Sequence, residues 1–147
     1  MAGPEQTHDR WIRGLLADKG MVHLPSKGCS MHPFIRQGDL CRFEPFDRAS
    51  AAPGDILLFR NGAGVLVGHR LLRVTHGDGG MIYVCKGDAN LRPDEPVVEE
   101  RVIGRMAGLR RGAKHYEIDR FRGRLWRAMV LRIPGISRIF HWHARRR

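Results

Sequence analysis

One hydroxyl in this chain stands in a frame suited to chemistry: Ser30, within Gly28-Cys29-Ser30-Met31-His32-Pro33-Phe34-Ile35-Arg36-Gln37-Gly38-Asp39. Glycine lets such a loop approach another chain closely, and proline fixes its exit. A serine held there is presented outward, as a nucleophile must be. Hydrolysing a peptide with serine also needs a base for the hydroxyl proton and donors for the developing oxyanion. His69, in Val67-Gly68-His69-Arg70, is the candidate base. Asp88, in Lys86-Gly87-Asp88-Ala89-Asn90, could sit near His69 across a hairpin, and Asp94 follows in the polar loop beyond. A free histidine side chain titrates near about 6.5 and is mostly neutral at pH 7. Lysine titrates near about 10.4 and acts as a base only where a dry site depresses it. Lys86 lies beside Asp88, whose charge favours the ammonium, so His69 is the expected base.

Several elements must position these groups. Trp11, Ile12, Leu15 and Leu16 recur at helical spacing, which predicts a helix over 9–19 with Asp9 as N-cap and Gly20 as stop. Strands are predicted over 21–24, 39–46, 56–59, 65–76, 81–86 and, more loosely alternating, 97–109. Between them fall Asn61-Gly62, the Gly77 to Gly80 turn, and four Gly-Asp pairs at irregular spacing. Short strands joined by glycine-rich turns, with no long helix between them, predict an antiparallel β-sandwich or barrel.

Past Arg110 the character changes. Phe121, Leu125, Trp126, Met129, Val130 and Ile133 recur at helical spacing among arginines, and Ile136, Ile139, Phe140 and Trp142 follow the Pro134-Gly135 break. Residues 119–147 hold nine arginines against one aspartate, so +8 of the net +11 lies there and +3 remains for residues 1–118. A basic amphipathic segment edged by tryptophan suits an anionic membrane surface, and equally a helix packed on the body with a solvated arginine face. Three parts are therefore expected: an N-terminal helix (1–20), a β domain (21–112) and a basic amphipathic segment (113–147).

The 147 residues, 42% hydrophobic and 28% charged, suit one globular domain and exclude a disordered chain. No apolar run approaches the length of a membrane span, and residues 1–20 have no signal-peptide core, so a cytoplasmic location is expected. Cys29, Cys41 and Cys85 form no CxxC pair and are odd in number, which fits a reducing compartment. The eight histidines make no ligand pair, so neither a metal nor another cofactor is expected. Helix-turn-helix, zinc-finger and aromatic RNA-binding signatures are missing, which argues against nucleic acid as the partner of the tail.

Taken together, Gly28-Cys29-Ser30-Met31-His32-Pro33, Gly38-Asp39-Leu40, Gly54-Asp55-Ile56 with Phe59-Arg60, His69-Arg70, Lys86-Gly87-Asp88-Ala89-Asn90, Asp94 and Val102-Ile103-Gly104-Arg105 resemble type I signal peptidase. The likeness runs through residues 22–109. Histidine before Arg70 resembles the archaeal and endoplasmic-reticulum branch, which uses a Ser–His pair; the bacterial branch and the related SOS-repressor autoproteases use lysine. The resemblance implies a coiled, mostly antiparallel β-barrel. It implies Ser30 as nucleophile, His69 as general base, and one of Asp88 and Asp94 orienting the histidine. Gly28, Met31 and Pro33 then shape the nucleophile loop against the substrate. Bacterial members carry a serine two places before the nucleophile, where this chain has Gly28, so backbone N–H groups must hold the oxyanion. The family's N-terminal membrane anchor is also missing from residues 1–20. The expected activity is endoproteolysis of a leader or signal-type peptide. A non-catalytic peptide-binding or assembly module on the same barrel, and nucleic-acid binding through the arginines, are the alternatives.

Overall fold

The run Ile56-Leu57-Leu58-Phe59 sits at the centre of the architecture because both of its faces are buried. A computed structural model describes residues 4–118, 121–133 and 135–145. Asp119, Arg120, Pro134, Arg146 and Arg147 of the expected tail lie outside the described residues, as do residues 1–3. The elements are α1 (Pro4–Lys19), β1 (Val22–Pro25), β2 (Leu40–Pro45), β3 (Ile56–Arg60), β4 (Leu66–Gly77), β5 (Gly80–Lys86) and β6 (Val97–Val98). A single 3-10 turn (Glu99–Arg101) precedes β7 (Val102–Arg111), β8 (Lys114–Glu117), α2 (Phe121–Arg132) and α3 (Ile136–Arg145). The fold is mainly β: a curled antiparallel half-barrel with a short N-terminal helix and two C-terminal helices.

The sheet runs β1-β2-β7-β3-β4-β5-β6, and β8 pairs with β7. Successive side chains of a strand point to opposite faces. Ile56 and Leu58 therefore join one core with Ile12, Leu16, Met31 and Phe43, while Leu57 and Phe59 join another with Leu71, Tyr83 and Cys85. Irregularities at Arg42/Phe43, Leu58/Phe59 and Leu71/Arg73 bend the strands and curl the sheet.

Three expectations are corrected. The helix begins by Pro4, so Asp9 is no N-cap; it lies inside the helix and takes the Arg60 guanidinium, with Nε donating over 2.8 Å. Residues 97–109 are not one strand. Val97 and Val98 pair with β5 at the sheet edge, whereas Val102 onward lies between β2 and β3, and Glu99-Glu100-Arg101 carries the chain across. Three consecutive charged residues cannot fill a strand with a buried face, so the alternation breaks there. The sheet also runs past the expected boundary at 112, because Gly112, with φ +57°, closes a tight hairpin that pairs Arg111 with Lys114.

The C-terminal helices lie against the body. The Trp126 ring stacks on Phe34 at 5.7 Å and on Phe140 at 5.5 Å, and its Nε1–H donates to Asp88 Oδ2 over 3.3 Å. Arg127 lies across Gly54, where φ is +98° and a Cβ would meet the arginine side chain at 2.0 Å. The packed-helix expectation thus describes the inner face of this pair.

Candidate active site

Adjacent residues His69 and Arg70 on β4 point to opposite faces, and this alternation sorts the acidic groups around them. His69 is only 6% exposed, and the edge of its ring packs against Phe59. Its Nε2 lies 3.0 Å from Ser30 Oγ, and its Nδ1 lies 2.7 Å from Asp94 Oδ2. With the ring proton on Nδ1 and donated to the Asp94 carboxylate, Nε2 is left to accept the Ser30 hydroxyl. Ser30, His69 and Asp94 thus stand in series, the order that a hydroxyl nucleophile, its base and an orienting carboxylate would need.

Backbone bonds hold each member. Ala89 N–H donates to Ser30 O over 2.8 Å, and Asp94 N–H donates to Cys85 O over 2.8 Å. Within the nucleophile loop His32 N–H donates to Cys29 O and Ile35 N–H to Met31 O. The 86–90 turn fits against this loop because residue 87 is glycine: a Cβ there would stand 2.7 Å from Ser30 O.

Of the two aspartates expected near the base, Asp94 is the one that reaches it. Asp88 is fully buried on the other face and takes Arg70 in a two-pronged ion pair, Nε to Oδ1 and Nη2 to Oδ2 at 2.7 Å each. Its expected place beside His69 is corrected to a structural one under the sheet. Burial pushes the Lys86 ammonium below its ordinary value, and the Asp88 charge opposes that shift without cancelling it. Desolvation therefore outweighs the neighbouring carboxylate, contrary to the sequence reading. Lys86 Nζ donates to Asn90 O over 3.1 Å and to Ser137 Oγ, and His69 holds the position beside Ser30.

Ser30 and His69 open on a cleft of about 540 Å³ whose walls include Leu24, Phe43, Leu58, Leu66 and Val67. Gly28 and Met31 line it, although Met31 is 4% exposed and also serves the core. Pro33, which follows a cis peptide bond, is not among the lining residues. Among the described residues β1 pairs only with β2, and Leu66 to His69 pair only with β3, since β5 joins β4 from Arg70 onward. Two strand edges beside the cleft thus keep backbone donors and acceptors free of the sheet. Gly28 has φ +78° and open space where a Cβ would stand. No acceptor among the described residues takes the Ser30 N–H.

The sequence reading missed the apolar walls, because strand pattern marks them only as core. It also missed Trp126, whose ring braces the Ser30 loop by stacking on Phe34. A cavity of about 640 Å³ beside Arg48, His76 and Glu100 holds no nucleophile–base pair. A comparison with known protein families found no matching family model, and a comparison with curated proteins found no match.

Proposed function

We propose that this chain is a serine endopeptidase of the type I signal-peptidase kind that cuts an extended leader or signal-type peptide. The observation that carries the reading is the Ser30–His69–Asp94 series at the wall of an apolar cleft flanked by two unpaired strand edges. An extended peptide would add its backbone to those edges and place alternate side chains in the cleft. Ser30 Oγ attacks the scissile carbonyl carbon as its proton passes to His69 Nε2. Asp94 stabilises the imidazolium, and the Ser30 N–H meets the oxyanion. Collapse breaks the C–N bond, and the proton on His69 leaves with the amine. Water then repeats the path to free the acyl group from Ser30. Three free cysteines, two of them buried, support a reducing compartment and a substrate on the cytoplasmic side.

The test is incubation of the full chain with a panel of leader peptides, with products and acyl-enzyme read by mass spectrometry. Cleavage and a Ser30 adduct are expected in the wild type. Both should be lost in Ser30→Ala and His69→Ala, while Lys86→Ala keeps substantial activity. Cleavage that survives Ser30→Ala would overturn the reading, and binding without cleavage by the wild type would replace it with a peptide-binding module.

A further inference from the structure

The two C-terminal helices present an outer face that neither the proposed chemistry nor the packing of the body uses. On α3, Ser137, Phe140 and His141 meet Lys86, Trp126 and the Ala89 carbonyl. The opposite stripe carries Arg138, Ile139 and Trp142, with Ile139 58% and Trp142 50% exposed, and Arg145 is exposed at the helix end. On α2, Phe121 and Leu125 stand one turn apart and are 78% and 61% exposed. Ile133, at the end of the same segment, is 50% exposed. Five large apolar side chains are thus half or more exposed on one short segment, more than isolated surface residues account for.

Charge surrounds them. Arg122, Arg124, Arg132, Arg138 and Arg145 are exposed, and none forms an ion pair among the described residues. Arg124, Arg127 and Arg132 line a cavity of about 620 Å³ with Asp55 as its carboxylate. Arginine forks suit phosphate oxygens. Apolar side chains interleaved with arginine, and a tryptophan at the margin, match the boundary between phosphate headgroups and acyl chains. A nucleic acid would use the arginines and leave Leu125, Ile133 and Ile139 in water. No helix among the described residues is long and apolar enough to cross a bilayer, and the ten residues of α3 reach only about 15 Å.

We propose that α2 and α3 dock flat on an anionic lipid surface, with the apolar stripe entering the acyl boundary and the arginines on headgroup phosphates. This goes beyond the peptidase reading and stands without it. The test is flotation of the full chain with vesicles of phosphatidylcholine alone or with about a third phosphatidylglycerol. Binding is expected to the anionic vesicles only, with a blue shift in tryptophan emission that Trp142→Phe removes. Arg132→Gln with Arg138→Gln should weaken partitioning by about thirtyfold. Leu125→Glu with Ile139→Glu should abolish it while circular dichroism stays unchanged. Flotation equal on both vesicle types, flotation unaffected by both double variants, or displacement from lipid by a DNA duplex at moderate salt would overturn the proposal.

Discussion

Replacing Asp94 and Asp88 in turn by asparagine separates catalysis from stability. Asp94→Asn keeps the shape beside His69 but removes the charge that faces Nδ1 and, in the proposed reaction, meets the imidazolium. In unrelated serine proteases the equivalent change costs about 10⁴-fold in kcat. The Asp94 side chain is 19% exposed, so water can partly replace it. A loss nearer 10³-fold, about 4 kcal/mol of barrier, is therefore expected here. Tm should move by only a few degrees, because a solvent-reached pair contributes little to folding. Asp88→Asn acts on a different account. Arg70 and Asp88 are 2% and 0% exposed at their side chains, and removing the carboxylate strands a buried guanidinium. Breaking such a pair costs about 3–5 kcal/mol, which lowers Tm by roughly 10 °C in a chain of this size. The assay pairs kcat/KM on a cleaved leader peptide, measured well below either Tm, with thermal unfolding of each variant. An Asp94→Asn protein with wild-type kcat/KM would refute the catalytic series. An Asp88→Asn protein that melts like wild type but is dead would return Asp88 to the active site.

Two further outcomes follow from the same packing. Gly87→Ala would place a methyl 2.7 Å from Ser30 O, and moving the nucleophile by about 1 Å can cost about a hundredfold in kcat/KM; an unchanged rate would show that the 86–90 turn does not set the nucleophile's position. Burial pushes the Cys41 thiol up to about 12, helped by the Asp39 charge against Arg111, and does the same to Cys85, helped by Asp94. Because the folded values lie above the ordinary thiol value of 9.0, this stability is complete below pH 9 and is lost as pH rises toward 12. Each thiol should remove about 1 kcal/mol between pH 8 and pH 10. Denaturant melts at the two pH values should show that loss in the wild type, and Cys41→Ala with Cys85→Ala should flatten it; equal slopes would refute the assignment.

Local chemistry made much of this molecule readable in one dimension. Gly20, Gly38 and Gly54 do end or turn elements, and each has positive φ, a backbone state that side chains disfavour and glycine does not. Five of the six strand predictions each meet one strand of the sheet, because period-2 alternation and turn residues are properties of neighbours in sequence. The loop that carries Ser30 and the strand that carries His69 were legible for the same reason, since both announce themselves locally. Tertiary structure decided the rest. Which aspartate reaches His69 depends on the β4–β5 register, Arg70 opposite Lys86, which sends Asp88 under the sheet and leaves Asp94 to return beside Cys85. The break at Glu99-Glu100-Arg101 reflects a crossing from the sheet edge to its middle, which no alternation pattern encodes. The depressed Lys86 ammonium likewise comes from burial, a quantity set by the whole fold, and so could outweigh the one carboxylate visible beside it in the sequence.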